Sequence, residues 1–419
     1  MLHQSTKRRL CRALFLLACL LPTFAVTGVI AWRLRPDYSH KQLADLAAGL
    51  GVRVECGQCY TPRPGERRFA DLRVLHPETG ALIATLDTLR CAGTDEGVVG
   101  VAGVLTIEVG KLADAGRVLC DSLRGVTAGV ASITFAEVRC GNQLLAADAR
   151  LTSESPVADR RVWSLAEEAA DGRRFQLVRN RQLDPPTTRL TLETGAAPLA
   201  WGRLAGLTPL PAALGPAATF AGKLTLDLEA NHGQLQGGFN GVDLAAFTPP
   251  ESGLHTHVPA RLYGVDLAWQ AGRFERLDLC VEAAAGEAAW PFADLARYQL
   301  RCVLTGPMLT AVEENIRLQA YPNTPLAFDA LAFRLRLDGA GCRVLGLLSP
   351  SAGFDQNCVM QRQGQTMLVA DGEHAQPLDA LLPLVQTPGV GSPYACPRAV
   401  ELLAKLPTQD PTNAPALQR

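Results

Sequence analysis

Lys223-Leu224-Thr225-Leu226-Asp227-Leu228-Glu229 alternates strictly between apolar and polar side chains. Successive side chains of a strand point to opposite faces, so this stretch predicts a strand with leucines on one side and charges on the other. The same period of two recurs in Arg189-Leu190-Thr191-Leu192-Glu193, Arg276-Leu277-Asp278-Leu279, Tyr298-Gln299-Leu300-Arg301-Cys302 and Phe333-Arg334-Leu335-Arg336-Leu337-Asp338. One apolar and one charged face describe an antiparallel sheet covered on one side. Turn formers punctuate these strands at Pro77-Glu78-Thr79-Gly80, Asn231-His232-Gly233, Asp338-Gly339-Ala340-Gly341 and Asp371-Gly372. The 38 glycines and 28 prolines among 419 residues fit many short elements better than long helices.

The charge balance narrows the function classes. Forty Lys and Arg face 41 Asp and Glu, a net charge of −1. With no basic cluster beyond the N-terminus, a nucleic-acid partner is not expected, because phosphate recognition needs a basic face. Charged residues make up 19% of the chain, too few for a disordered or coiled-coil protein.

The N-terminus sets the compartment. Ala13 to Trp32 is an apolar run long enough to cross the roughly 30 Å hydrocarbon core of a bilayer. Lys7, Arg8, Arg9 and Arg12 precede it and Arg33 and Arg35 follow, which predicts a cytoplasmic N-terminus and an exported body, periplasmic in a bacterium. Pro22 lies mid-span, where a membrane helix accommodates it with a kink. Thr23-Phe24-Ala25 offers the small residues of a signal-peptide cleavage site, and Leu16-Leu17-Ala18-Cys19 a faint lipoprotein box. All three readings export the body.

The sequence therefore divides into a cytoplasmic stub (1–12), a transmembrane signal anchor (13–33), a short juxtamembrane helix (34–51), a first β region (52–160), a second β region with helical inserts (161–406) and a disordered tail (407–419). The juxtamembrane helix is capped by Ser39, carries Leu43, Leu46, Ala47 and Leu50 on one face and closes at Gly51. Helical inserts are expected over Ser164–Ala170, Asp379–Val385 and Arg398–Leu406. A short internal echo, Gly241-Val242-Asp243-Leu244 and Gly264-Val265-Asp266-Leu267, suggests a repeated hairpin.

Three features resemble the AsmA-like family of envelope proteins, relatives of TamB and of the chorein-type bridge-like lipid carriers. The first is the N-terminal anchor followed by a helix ending in Leu50-Gly51-Val52-Arg53-Val54. The second is the strand pair from Arg68-Phe69-Ala70-Asp71-Leu72 to Gly80-Ala81-Leu82-Ile83-Ala84. The third runs from Phe220-Ala221-Gly222-Lys223-Leu224 to Gly241-Val242-Asp243-Leu244. The resemblance implies a mainly β fold, a long antiparallel curved sheet or groove, apolar inside, that shelters acyl chains without enclosing a pocket. Leu190, Leu192, Leu224, Leu226, Leu228, Phe333, Leu335 and Leu337 would line it. A β-sandwich or barrel whose apolar face is a dry core has the same alternation, and the two remain alternatives at this level.

Of the 12 cysteines, Cys11 and Cys19 lie in or beside the span. The other ten sit in the body, where an exported protein can form disulfides whose pairing is not deducible. Cys56-Gly57-Gln58-Cys59 has the spacing of a redox motif. A reactive thiolate needs a helix start after it, whereas Val52-Arg53-Val54-Glu55 reads as a strand and Tyr60-Thr61-Pro62-Arg63-Pro64-Gly65 as a loop. His255-Thr256-His257 places two imidazoles on one strand face, with Glu251 the nearest carboxylate and no complete metal shell in sequence. Glu167-Glu168 and Glu313-Glu314 read as solvated charges. No nucleophile elbow, phosphate loop, dinucleotide fingerprint or zinc-protease motif occurs. The expectation is a non-enzymatic, cofactor-free, metal-free, membrane-anchored protein that contacts membrane lipids and other envelope proteins. An exported thiol–disulfide protein using Cys56 and Cys59, or a structural β-sandwich module, stands as the alternative.

Overall fold

The computed structural model describes residues 4–33, 43–44, 53–63, 65–76, 78–94, 97–108, 111, 114–115, 130–157, 159–167, 172–204, 207–210, 214–244, 253–298, 300–318, 325–349, 357–372, 374–378 and 405–407. The expected helices at 379–385 and 398–406, the tail, and all of the juxtamembrane helix except helical Leu43 and Ala44 lie essentially outside these residues, as do Cys120 and Cys396. The chain is mainly β and divides into two units, Met1–Asp148 and Ala149–Arg419.

The first unit opens with α1 (Gln4–Phe15), a π-helical turn (Leu16–Leu20) and α2 (Leu21–Arg33). Within them Lys7–Ala31 is long and apolar enough to cross a membrane, with a mean hydropathy of 2.3 and no buried window. The π turn precedes Pro22, which has no N–H to donate, and Leu21 donates its own to the Leu16 carbonyl. Thr23 Oγ1 donates to the Cys19 carbonyl at 2.7 Å and Thr27 Oγ1 to that of Thr23 at 2.6 Å. Both hydroxyls thus turn inward to the backbone, as lipid surroundings require.

Five strands follow: β1 (Arg53–Arg63), β2 (Glu66–Leu75), β3 (Leu82–Thr94), β4 (Gly97–Ile107) and β5 (Val130–Cys140). The first four pair antiparallel in chain order, whereas β4 and β5 run parallel, a departure from the all-antiparallel expectation. Tyr60 to Arg63 belong to β1 and not to a loop. Their neighbours in register, Arg68 and Glu66, continue the ladder around a bulge.

The second unit takes up β6 (Gln143–Val157) from Ala149 onward. It continues with β7 (Arg160–Glu167), β8 (Arg174–Asn180), β9 (Thr187–Glu193), β10 (Leu199–Ala200), β11 (Thr219–Asp227), β12 (His232–Val242), β13 (Leu254–Thr256), β14 (Ala260–Gln270), β15 (Arg273–Ala283) and β16 (Gly286–Ala288). Then come α3 (Trp290–Tyr298), β17 (Val303–Leu304), α4 (Gly306–Leu318), β18 (Leu326–Phe328), β19 (Ala330–Asp338), β20 (Gly341–Gly346), β21 (Cys358–Arg362) and β22 (Gln365–Val369). The strands pair antiparallel in the order β6–β7–β8–β9–β11–β12–β14–β15–β19–β20. β21 adds to β19 and to β22, which pairs with β17, while β13, β16 and β18 form a separate small sheet. Two clusters anchor this unit. Trp201, Phe220 and Phe239 pack with ring centroids 5.0–6.4 Å apart. Elsewhere Phe292, Ala296 and Met308 of the helices pack with Phe328, Met360 and Leu368.

Two sequence expectations fail here for local reasons. The helix expected at Ser164–Ala170 does not start: Ser164 to Glu167 end β7, pinned between β6 and β8, and 168–170 lie outside the described residues. Ser164 Oγ accepts from Gln176 Nε2 across the ladder at 3.4 Å, and Glu167 Oε2 accepts from the Arg173 N–H at 2.8 Å, so neither caps a helix. Tyr298–Cys302 is not a strand: Tyr298 ends α3, Arg301 takes a left-handed φ of 53°, and the Cys302 N–H donates back to Ala296 at 2.8 Å. The helices α3 and α4 were not expected. Each carries a proline in its first turn, Pro291 and Pro307, where the missing N–H costs nothing.

Candidate functional site

The registers of the second unit assemble one row of apolar side chains across ten strands. It runs Leu151–Leu165–Phe175–Leu192–Leu224–Leu235–Leu267–Leu277–Leu337–Cys342, each residue directly opposite the next. At about 4.8 Å between strands the row is about 43 Å long, against about 15 Å for one leaflet of a bilayer core. One residue along each strand, on the opposite face, lies a polar row that includes Arg174, Glu193, Lys223, Gln236, Asp266, Asp278, Arg336 and Arg343. Here Asp266 and Asp278 face each other as like charges. Arg276 Nη2 offsets the first at 2.6 Å, and Arg334 grips the second with two bonds of 2.7 Å. The Arg334 hydrogen bonds hold the Asp278 carboxyl below its ordinary pKa, against the opposing pull of burial.

Two glycines shape the apolar face. Gly264 adopts a left-handed φ of 60° and makes a bulge that keeps both Leu262 and Val265 on this side. Gly233 leaves room for the Trp269 indole, whose Cζ2 would lie 2.1 Å from any Cβ added there. The internal echo therefore has two meanings, because Gly241, also left-handed, sits at the end of β12 while Gly264 lies inside β14.

The row is sealed at one end and open at the other. Leu224, Leu235 and Leu267 have no exposure, and Leu277, Leu337 and Cys342 are buried. Leu151, Leu165, Phe175 and Leu192, on β6 to β9, are only half-buried. Of the eight residues expected along a groove, Leu192, Leu224 and Leu337 belong to this row, and Leu190 and Leu226 to the adjacent one, both buried. Leu335 and Phe333 lie half-buried further along β19 on the same face. Leu228 falls outside β11, in the turn after it, and is exposed. The structure thus brings seven of the eight to one face; their register, invisible in sequence, makes them continuous.

The paired thiols have a different setting. Each strand of the first unit carries two apolar residues three apart: Cys56 and Cys59, Phe69 and Leu72, Leu86 and Leu89, Ala102 and Leu105, Phe135 and Val138. They form two cross-strand rows, Cys59–Phe69–Leu89–Ala102–Phe135 and Cys56–Leu72–Leu86–Leu105–Val138, with left-handed Asp71 between them on β2. The redox-like spacing is one instance of this five-strand pattern. Both thiols lie within β1 and not ahead of a helix, and burial pushes both pKa values up from 9.0. Cys56 Sγ donates to the Gln58 carbonyl at 2.7 Å. Burial outweighs the pull of Arg67 on Cys59 and of the backbone hydrogen bonds on Cys56, so neither is held as the thiolate a redox centre uses.

His257 meets a carboxylate that sequence spacing does not reveal. Glu287 of β16 lies opposite His255 in register, and its Oε1 is 3.8 Å from His257 Nε2. No group of three His, Cys, Asp or Glu side chains suited to a metal occurs among the described residues. Glu313 and Glu314 are exposed on α4. No protein-family model matches the chain, and no curated protein and no solved structure matches it either.

Proposed function

We propose that the chain is a non-enzymatic, membrane-anchored envelope protein of AsmA-like type, whose exported body shelters acyl chains of membrane lipids and serves envelope assembly or maintenance alongside other envelope proteins. The observation that carries this reading is the uninterrupted ten-strand apolar row, half-exposed over β6 to β9. A strip of half-exposed apolar side chains backed by a charged face favours an apolar partner over water. The N-terminal helix holds the body at a membrane and supplies the lipid.

The test belongs at the open end, because a carboxylate at buried Leu226 or Leu224 would unfold the sheet before it reported on binding. The test is mass spectrometry of phospholipid that copurifies with the full chain. Leu192→Asp is expected to remove most of that lipid, about tenfold, with the circular-dichroism spectrum unchanged. A well-folded, lipid-free chain sinks this reading. It selects a second one, an interaction module around a dry core, which the zero exposure of Leu224, Leu235 and Leu267 favours.

A further inference from the structure

One face of the first unit carries an exposed mixture of cationic, aromatic and aliphatic side chains. Tyr60, Arg68, Arg90 and Val101 stand directly opposite one another across β1 to β4. The next row begins Arg63–Glu66–Ala92–Val99. Val101 is 62% exposed, Tyr60 49% and Val99 41%, on strands whose opposite face is closed by Phe69, Leu89 and Phe135. Such exposure of valines at the centre of a ladder is not what a solvated face selects.

The charges are arranged as well as present. Glu66, buried beneath them, accepts from Arg68 Nε at 3.2 Å and holds Arg90 Nε at 2.5 Å on the same oxygen. Arg68 also hydrogen-bonds the Tyr60 side chain, and the guanidinium donors left over from these contacts face a partner. Arg63 is exposed, and no ion pair engages it among the described residues. Three arginines against one carboxylate leave this patch cationic, with a phenol and two valines between the charges.

We infer that this face docks on the anionic headgroup surface of the membrane in which the N-terminal helix is anchored. Arginines engage lipid phosphates, Tyr60 sits at headgroup level and Val99 and Val101 press toward the acyl boundary. The inference rests on the anchor reading. Residues 34–52 join α2 to β1, a tether of at most about 70 Å, so the face is never far from the bilayer.

The test uses the full chain reconstituted into vesicles, with photoreactive benzoylphenylalanine placed at position 101, or at position 67, next to Arg68 and on the opposite face of β2. Lipid adducts are expected at 101 and not at 67 in phosphatidylcholine vesicles containing about a third phosphatidylglycerol, and to fade in pure phosphatidylcholine or high salt. Arg63→Gln, which breaks no ion pair among the described residues, is expected to lower the adduct yield about fivefold. Equal yields at 101 and 67, or a yield at 101 indifferent to anionic lipid, overturn the docking. Flotation reads the anchor separately. A chain that does not float overturns anchor and docking together, whereas one that floats without adducts at 101 overturns the docking alone.

Discussion

Buried residues in the first unit change parity halfway along each strand, whereas the second unit holds one apolar face across ten strands. On β1 to β5 the buried residues slip from one parity to the other, as from Phe69 to Leu72 and from Leu86 to Leu89. The slip falls where Asp71 takes a left-handed φ of 55° and where the consecutive pairs Gly57 and Gln58, and Asp87 and Thr88, are exposed. On β9, β11, β15 and β19 parity is kept, and where β14 would lose it the bulge at Gly264 restores it. A left-handed residue inside a strand resets its parity, which produces the first pattern, whereas strict alternation as in β9 and β11 needs no such reset. The same local grammar of alternation thus yields two surfaces with different uses.

The contrast can be broken most sharply at its sealed end. Leu224→Asp places an unpaired carboxylate at a site with no exposure, and a loss of about 4 kcal/mol or more is expected in denaturant unfolding of the detergent-solubilised chain. Trp201→Ala should cost about 3–5 kcal/mol, since Trp201 is fully buried against Phe220 and Phe239. A drop under about 1 kcal/mol would mean that this end of the row is loosely packed. Gly233→Val, which would drive a side chain into Trp269, should destabilise by about 1–3 kcal/mol, while Gly80→Ala, with open space around it, should cost less despite its left-handed φ.

The polar row offers a pH test. The folded Asp278 carboxyl has a lowered pKa, so its contribution is present above the ordinary value of 3.8 and is lost as pH falls through the folded value. Asp278→Asn should cost about 1–3 kcal/mol at neutral pH and flatten the acid limb of the stability curve. An unchanged acid limb would assign that loss to other carboxylates. The smallest effect is expected at the thiols of the first unit. Because burial raises the pKa values of Cys56 and Cys59 from 9.0, their alkylation should be slow at neutral pH and accelerate toward and above pH 9. Fast labelling at neutral pH would restore the redox reading of the pair.

Strands whose apolar residues alternate in a single face were legible from sequence alone. Leu190, Leu192, Leu224 and Leu226 announce β9 and β11, and Phe333 to Asp338 announces β19. What stayed hidden depends on contacts distant in sequence. Ser164 and Glu167 resemble a helix start until β6 and β8 claim them, and Tyr298 to Cys302 alternates by accident at the close of a helix. The pairing of β9 with β11, past β10, and of β15 with β19, past two helices, leaves no local mark, so the continuity of the apolar row was not legible although most of its members were. The slip of parity in β1 to β5 was hidden because it looks like mere irregularity in any one strand and becomes a rule only when five are aligned.

The pairing of β15 with β19 also bears on how the chain reaches its final form. A chain folding from its amino end can zip β6 to β9 as each strand appears, since every partner is the next in sequence. β15 must wait until residues 284–329 have followed, including α3 and α4. Through that interval its edge offers unpaired N–H and C=O groups beside Leu277, Leu279 and Val281, a template for any other extended segment nearby. Synthesis at about 5–20 residues per second takes seconds to deliver those residues, long against the microseconds in which a hairpin forms. The vulnerable period in the life of this protein is therefore its own synthesis, and an escort that covers one nascent strand edge would protect the whole ten-strand sheet.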